Sequence, residues 1–156
     1  MMASGGKSSK LPESYHVEQL KFGNRSISDH FTNGDRLDVL AKDIMYGKTS
    51  AQRMPPLEVK LRDGHPHVVD GNRRLKVYKS LADAEFGLGK IPVKCTEDPK
   101  ARVLVRPGEG DEIDVRGGGD PSELIRMEKD TYDMLPFLWD VPEHKREGIF
   151  NQQKTG

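Results

Sequence analysis

The run Val68-Val69-Asp70-Gly71-Asn72-Arg73-Arg74-Leu75-Lys76-Val77-Tyr78 holds the side chains best suited to chemistry in this chain. Its two leading β-branched residues suit the end of a strand, Gly71 permits a positive-φ turn, and Leu75, Tyr78 and Leu81 recur at helical spacing. A helix opening there leaves its first amide N–H groups without carbonyl partners, at the positive end of its macrodipole. Two arginines in that first turn oppose the dipole unless an anion offsets them, so the pattern predicts a grip on an anion with several oxygens, such as phosphate. The plain alternative is a solvated helix start capped by Asp70 or Asn72.

Positioning such a turn requires a scaffold, and the flanking residues supply one. Leu37, Leu40, Ala41, Ile44 and Met45 follow the three-four spacing of an amphipathic helix that begins after Asn33-Gly34-Asp35 and ends near Gly47. Met54-Pro55-Pro56 leads into the alternating Leu57-Glu58-Val59-Lys60-Leu61, a half-buried strand that Asp63-Gly64 turns back into His67-Val68-Val69. The helix after Asn72 should run through Tyr78 and Leu81 toward Phe86, with Gly87 and Gly89 as stop signals. Ile91-Pro92-Val93-Lys94-Cys95 follows as a strand whose proline belongs at an edge or a strand start. Residues 15–22 suggest a short strand leading into a loop that ends at Ser26-Ile27-Ser28. Residues 101–105 suggest another strand, and the Gly-rich residues 106–119 a long loop. Asp120-Pro121-Ser122-Glu123 starts a further helix, with Pro121 at its first position. The expected organisation is a disordered lead at 1–13, a domain at 14–105, the loop at 106–119 and a helical tail at 120–156.

With 156 residues, of which 34% are hydrophobic, the chain can bury one modest core. Its 25 Lys and Arg balance 25 Asp and Glu, which excludes a global field drawing in nucleic acid and makes DNA binding an unfavoured reading. One cysteine, Cys95, excludes an internal disulfide framework, and its expected role is that of a small buried apolar residue. No apolar run approaches the length of a membrane span and the N-terminus lacks the apolar core of a secretory signal, so a soluble intracellular protein, cytoplasmic or nuclear, is expected.

The order helix, Pro-Pro strand, turn, strand, Asp-Gly-Asn-Arg-Arg, helix, Ile-Pro-Val strand resembles the ParB and sulfiredoxin superfamily over residues 15–95, most closely over 55–81. The resemblance implies an α+β fold: a short mixed sheet with flanking helices that binds a nucleotide, ATP or another nucleoside triphosphate with Mg2+. It implies that Gly71, Asn72, Arg73 and Arg74 form the phosphate box, that Arg36 at the start of the first helix helps hold the nucleotide, and that the basic loop residues Lys48 and Arg53 can approach it. Asn72 stands where sulfiredoxins carry their reactive cysteine, which removes that sulfur chemistry. The same residues are similar to the Asp-Gly-His-x-Arg box of nucleotide-dependent serine kinases in the superfamily, with Asn72 at the histidine position. By that likeness Asp70 would orient a metal or accept a proton while the arginines stabilise the transferring phosphoryl group.

Phosphoryl transfer or hydrolysis is therefore one reading. A ParB-like nuclease and a non-catalytic protein-interaction module are the alternatives. His65 and His67, separated by Pro66, would share a face near Asp70, yet they supply too few ligands for a dedicated metal cage, and no protein metal site is expected. A protein partner would use the apolar segment from Leu135 to Trp139 if that segment does not fold back on the domain.

Overall fold

Alternation along the chain builds the centre of the fold. Leu57 and Val59 are fully buried in strand β4 (Leu57–Arg62) while Glu58 and Lys60 stay partly exposed. Asp63 and Gly64, at φ 54° and 78°, form the double positive-φ turn that suits the twist of a tight hairpin, returning the chain antiparallel as β5 (His65–Asp70). In the computed structural model, which describes residues 13–134, this hairpin joins β1 (Ser14–His16), β2 (Lys21–Phe22) and β6 (Lys90–Cys95) in a mixed sheet of order β1-β6-β4-β5-β2. The domain is α+β.

The strand expected over residues 15–22 is broken. Its halves, β1 and β2, lie on opposite edges of the sheet, joined through a 3-10 turn at Val17–Gln19. A flat five-stranded sheet would be about 19 Å across at its usual strand spacing. The few residues between β1 and β2 cannot cover that width with a 3-10 turn among them, so the sheet must curl until its edges approach. Val17 and Leu20 are buried beside this turn.

Three other expectations are corrected. Residues 26–28 were expected in a loop and form β3 (Ser26–Ser28), which pairs in parallel with β7 (Asp114–Arg116), a strand inside the stretch expected to be loop throughout. Both are only three residues long, and their apolar residues Ile27 and Val115 meet in register. Residues 101–105 form no strand. Their carbonyls are held by side chains instead: Lys60 Nζ donates to the Ala101 carbonyl at 2.9 Å and Arg62 Nη1 to that of Val105 at 2.6 Å. Strand β6 is not at an edge, since it lies between β1 and β4; Pro92 is tolerated because the ladder with β4 begins one residue later, at Leu57↔Val93.

Three helices cover the sheet. Helix α1 (Leu37–Met45) buries Leu37, Leu40, Ala41 and Met45 at the expected spacing. Helix α2 (Asn72–Asp83) buries Leu75, Val77, Tyr78 and Leu81, contacting α1, the sheet and α3 (Pro121–Asp133). It ends earlier than Gly87 and Gly89 suggested. Glu85, at φ 69°, reverses the chain: its N–H bonds the Ala82 carbonyl at 2.9 Å and the Phe86 N–H bonds that of Leu81 at 3.0 Å. A side chain with a Cβ is strained at that φ, so Glu85→Gly should raise unfolding stability by about 1 kcal/mol in a urea titration.

Helix α3 starts as expected. Asp120 Oδ1 accepts the Ser122 N–H at 2.9 Å and Pro121 occupies the first position. The helix seats on α1 and α2 through Ile125, through Tyr132 edge-on to Phe86 at 4.7 Å, and through the Tyr46 hydroxyl donating to Glu128 at 2.9 Å. Burial alone would raise the Asp120 carboxyl pKa, but the Ser122 N–H and Lys76, 3.7 Å away, hold it below the ordinary range. A depressed folded pKa contributes stability above the unfolded value and loses it as pH falls through the folded one. Asp120→Ala should therefore cost about 1 kcal/mol at neutral pH, a deficit that shrinks as urea titrations are carried below about pH 4. The segment from Leu135 to Trp139 lies outside the described residues.

Candidate functional site

Strand β5 ends at Asp70, and the next residue takes a conformation that few side chains accept. Gly71 sits at φ 106°, ψ 19°, and a Cβ there would fall 2.5 Å from Leu57 Cδ2 and 3.1 Å from Arg74 Nη2. Helix α2 then begins at once, with no side chain capping its N-terminus. Neither Asp70 nor Asn72 acts as the cap that the plain reading required. The first amides of α2 are left without intrahelical partners.

Asn72 is buried, and both polar atoms of its side chain are engaged. Nδ2 donates to the Val68 carbonyl at 2.9 Å while Oδ1 accepts the Gly23 N–H at 3.1 Å. The residue thus fastens the turn to the loop after β2. Arg73 and Arg74 reach toward different segments. Arg73 Nη1 donates to the His30 carbonyl at 2.7 Å, with the guanidinium carbon 5.9 Å from the Phe31 ring centre, and Arg74 Nη1 donates to the Pro55 carbonyl. A guanidinium has five N–H donors, so each retains several. Among the described residues neither arginine forms an ion pair with a carboxylate. Burial pushes the Tyr78 hydroxyl pKa up, opposed by the Arg74 guanidinium beside it.

Beside both arginines lies a cleft of about 210 Å³, lined by residues 69–74 together with Asn24, Ile27 and Phe31. The structure brings Asp70, Gly71, Asn72, Arg73 and Arg74 together there. Arg36 is not among the lining residues; it is half-exposed, with Nε 3.3 Å from Asp38 Oδ2. Arg53 instead lines a groove of about 410 Å³ with Phe86 and Tyr132, and Lys48 lines neither. That groove is the larger concavity, yet Arg53 and Lys129 are balanced there by Glu85 and Asp133, so it has no net attraction for an anion.

Comparison with protein-family models, curated proteins and solved structures finds no match. The site's chemistry therefore rests on its own residues.

Asp70 is exposed at the rim of the cleft and pairs in register with Glu58, just before the β-bulge between Glu58 and Val59. Glu58 is not among the residues that line the cleft. His65 and His67 do not converge on Asp70. His67 is buried with Nδ1 3.0 Å from the His65 carbonyl, and burial, with Arg62 close by, pushes its pKa below the ordinary imidazole range. Cys95 packs partly buried against the core, and burial pushes its thiol pKa up, away from a reactive thiolate.

Reading the sequence missed the rest of the cleft lining. Asn24 and Ile27 belong to a segment read as loop, and Phe31 lies beyond it, where the spacing predicts no element. Asp29 and His30 lie in that same stretch. Asp29 is buried and its Oδ1 lies 2.5 Å from His30 Nδ1.

Proposed function

We propose that this protein binds the polyphosphate of a nucleoside triphosphate or diphosphate in the cleft at residues 70–74. One observation carries the reading. Two guanidiniums without carboxylate partners among the described residues flank the uncapped N-terminus of α2, a concentration of positive charge and free donors that an anion would offset. Arg73 and Arg74 would grip phosphate oxygens, the first amides of α2 would meet them end-on, and Asp70 would face the accompanying Mg2+. Gly71 leaves the backbone bare enough for close approach. The resemblance of residues 55–81 to the ParB and sulfiredoxin phosphate box supports the same assignment, and the locked Asn72 agrees with the loss of thiol chemistry at that position.

Isothermal titration of the protein with ATP, ADP, CTP and GTP, each with Mg2+, tests the reading. At least one should give saturable heat with a single-site stoichiometry. Absence of heat with all four would reject it. A ParB-like nuclease is the second reading, and incubation with plasmid and single-stranded DNA plus Mg2+ tests it; cleavage lost in Asp70→Asn would support it.

A further inference from the structure

We infer that the ring of Phe31 is the stacking surface for the nucleobase, so that the cleft selects its ligand by an aromatic base as well as by phosphate. This inference rests on the nucleotide reading above and deepens it. Phe31 and Ile27 line the cleft together with Arg73 and Arg74. Phosphate oxygens gain nothing from an aromatic ring or an aliphatic side chain, and stripping water from an anion against them is costly. The lining therefore suits a ligand that joins an anionic part to a flat, weakly polar one, which is the composition of a nucleotide.

Both apolar residues are held in place by the fold. Phe31 packs partly buried against the hydrophobic core, which leaves some of its surface accessible. Its backbone is fixed by a turn: the Phe31 N–H donates to the Asp35 carbonyl at 2.7 Å, and its own carbonyl accepts the Gly34 N–H at 2.9 Å. The preceding carbonyl, that of His30, accepts Arg73 Nη1 at 2.7 Å and so ties this turn to the start of α2. Ile27 is buried in β3, in register with Val115 of β7, so the small two-stranded sheet carries part of the lining. A ring ordered before the ligand arrives loses little entropy when a base settles on it.

Ring and cation lie within the span of one ligand, since the Arg73 guanidinium carbon is 5.9 Å from the Phe31 ring centre. Nucleobases stack on aromatic rings and on guanidinium planes alike, so a base beside this pair gains contact while its phosphates meet the charge. At about 210 Å³ the cleft is smaller than the roughly 300 Å³ at which sites begin to enclose a whole organic ligand, so a nucleotide in it keeps part of its surface in water. An open stacking platform works in that situation, because one face of the base suffices. Every base has such a face, so Phe31 should favour the four common nucleotides by similar factors, and the contrast is with a polyphosphate that has no base.

The test is calorimetric titration of the full chain with inorganic tripolyphosphate and with ATP, CTP, GTP and UTP, each with Mg2+, for wild type, Phe31→Leu and Phe31→Trp. Wild type should bind the nucleotides at least about tenfold more tightly than tripolyphosphate. Phe31→Leu keeps an apolar side chain at the core but loses the π face; it should lose most of that preference while its tripolyphosphate affinity stays within about threefold. Phe31→Trp should retain the preference. Equal affinity of wild type for tripolyphosphate and nucleotide would overturn the assignment while leaving polyphosphate binding intact, and that comparison does not depend on how any variant folds. A preference kept in full by Phe31→Leu would also overturn it, as would an equal loss for both kinds of ligand, which would make Phe31 a prop for Arg73. Failure of tripolyphosphate and of every nucleotide to bind wild type would reject the nucleotide reading itself.

Discussion

Replacing Arg73 and Arg74 together by alanine is expected to weaken nucleotide binding by a factor on the order of 100 to 10,000. Each charge-assisted contact to phosphate is worth about 1.5–3 kcal/mol, and every 1.4 kcal/mol is tenfold in the dissociation constant. The arginines also hold the His30 and Pro55 carbonyls, so the unliganded double variant should lose about 1 kcal/mol of stability for each bond removed. Calorimetry and melting therefore report different things. The melting temperature of the free protein falls for the structural bonds alone, whereas the shift produced by added nucleotide vanishes only if the guanidiniums contact it. Arg73→Lys with Arg74→Lys separates charge from shape: it keeps both charges but loses the planar fork, and should recover only part of the affinity. An unchanged dissociation constant in the double alanine variant would show that the two side chains serve only as clamps on the backbone.

A second large effect is expected at a residue with no polar side chain. A Cβ on Gly23 would lie 2.1 Å from the Val68 carbonyl oxygen, a contact with backbone that cannot swing aside. That same oxygen accepts the Asn72 side chain, which in turn takes the Gly23 N–H. Moving any one of the three breaks the lock that seats the turn at Gly71 on the loop after β2. Gly23→Ala should therefore cost more than about 3 kcal/mol in urea unfolding, placing it among the severe single substitutions. Gly87→Ala is the control, since its Cβ would meet nothing and its φ lies outside the left-handed region; it should be neutral or slightly stabilising. Similar small losses at both positions would refute the steric argument.

The reach of the sequence is clearest where local pattern and burial agree. Leu57 and Val59 alternate with charged residues, Asp63-Gly64 demands a tight turn, and Leu37, Leu40, Ala41 and Met45 mark one helical face; each of these became the element its spacing predicts. The glycine at 71 and the paired arginines after it were legible for the same reason, because a positive φ and a helix start are properties of neighbouring residues. Strands β3 and β7 were not legible: three-residue strands have no period to detect, and they exist only because distant segments supply each other's backbone partners. Residues 101–105 showed the opposite failure. Their β-branched content suited a strand, but Lys60 and Arg62 reached their carbonyls from a neighbouring strand.

By itself, then, the chain determined its α+β character, its central hairpin, its three helices and the position of a helix start that carries two arginines, all of them set by contacts a few residues apart. Tertiary structure alone decided that Asn72 is a lock for the backbone, that Arg73 and Arg74 hold carbonyls of two different segments, that Arg36 is not in the lining, and that Asp29 is buried against Gly117 and Gly119. Those outcomes depend on which carbonyl or glycine a fold spanning more than a hundred residues brings within hydrogen-bond reach. No local rule of spacing encodes that distance.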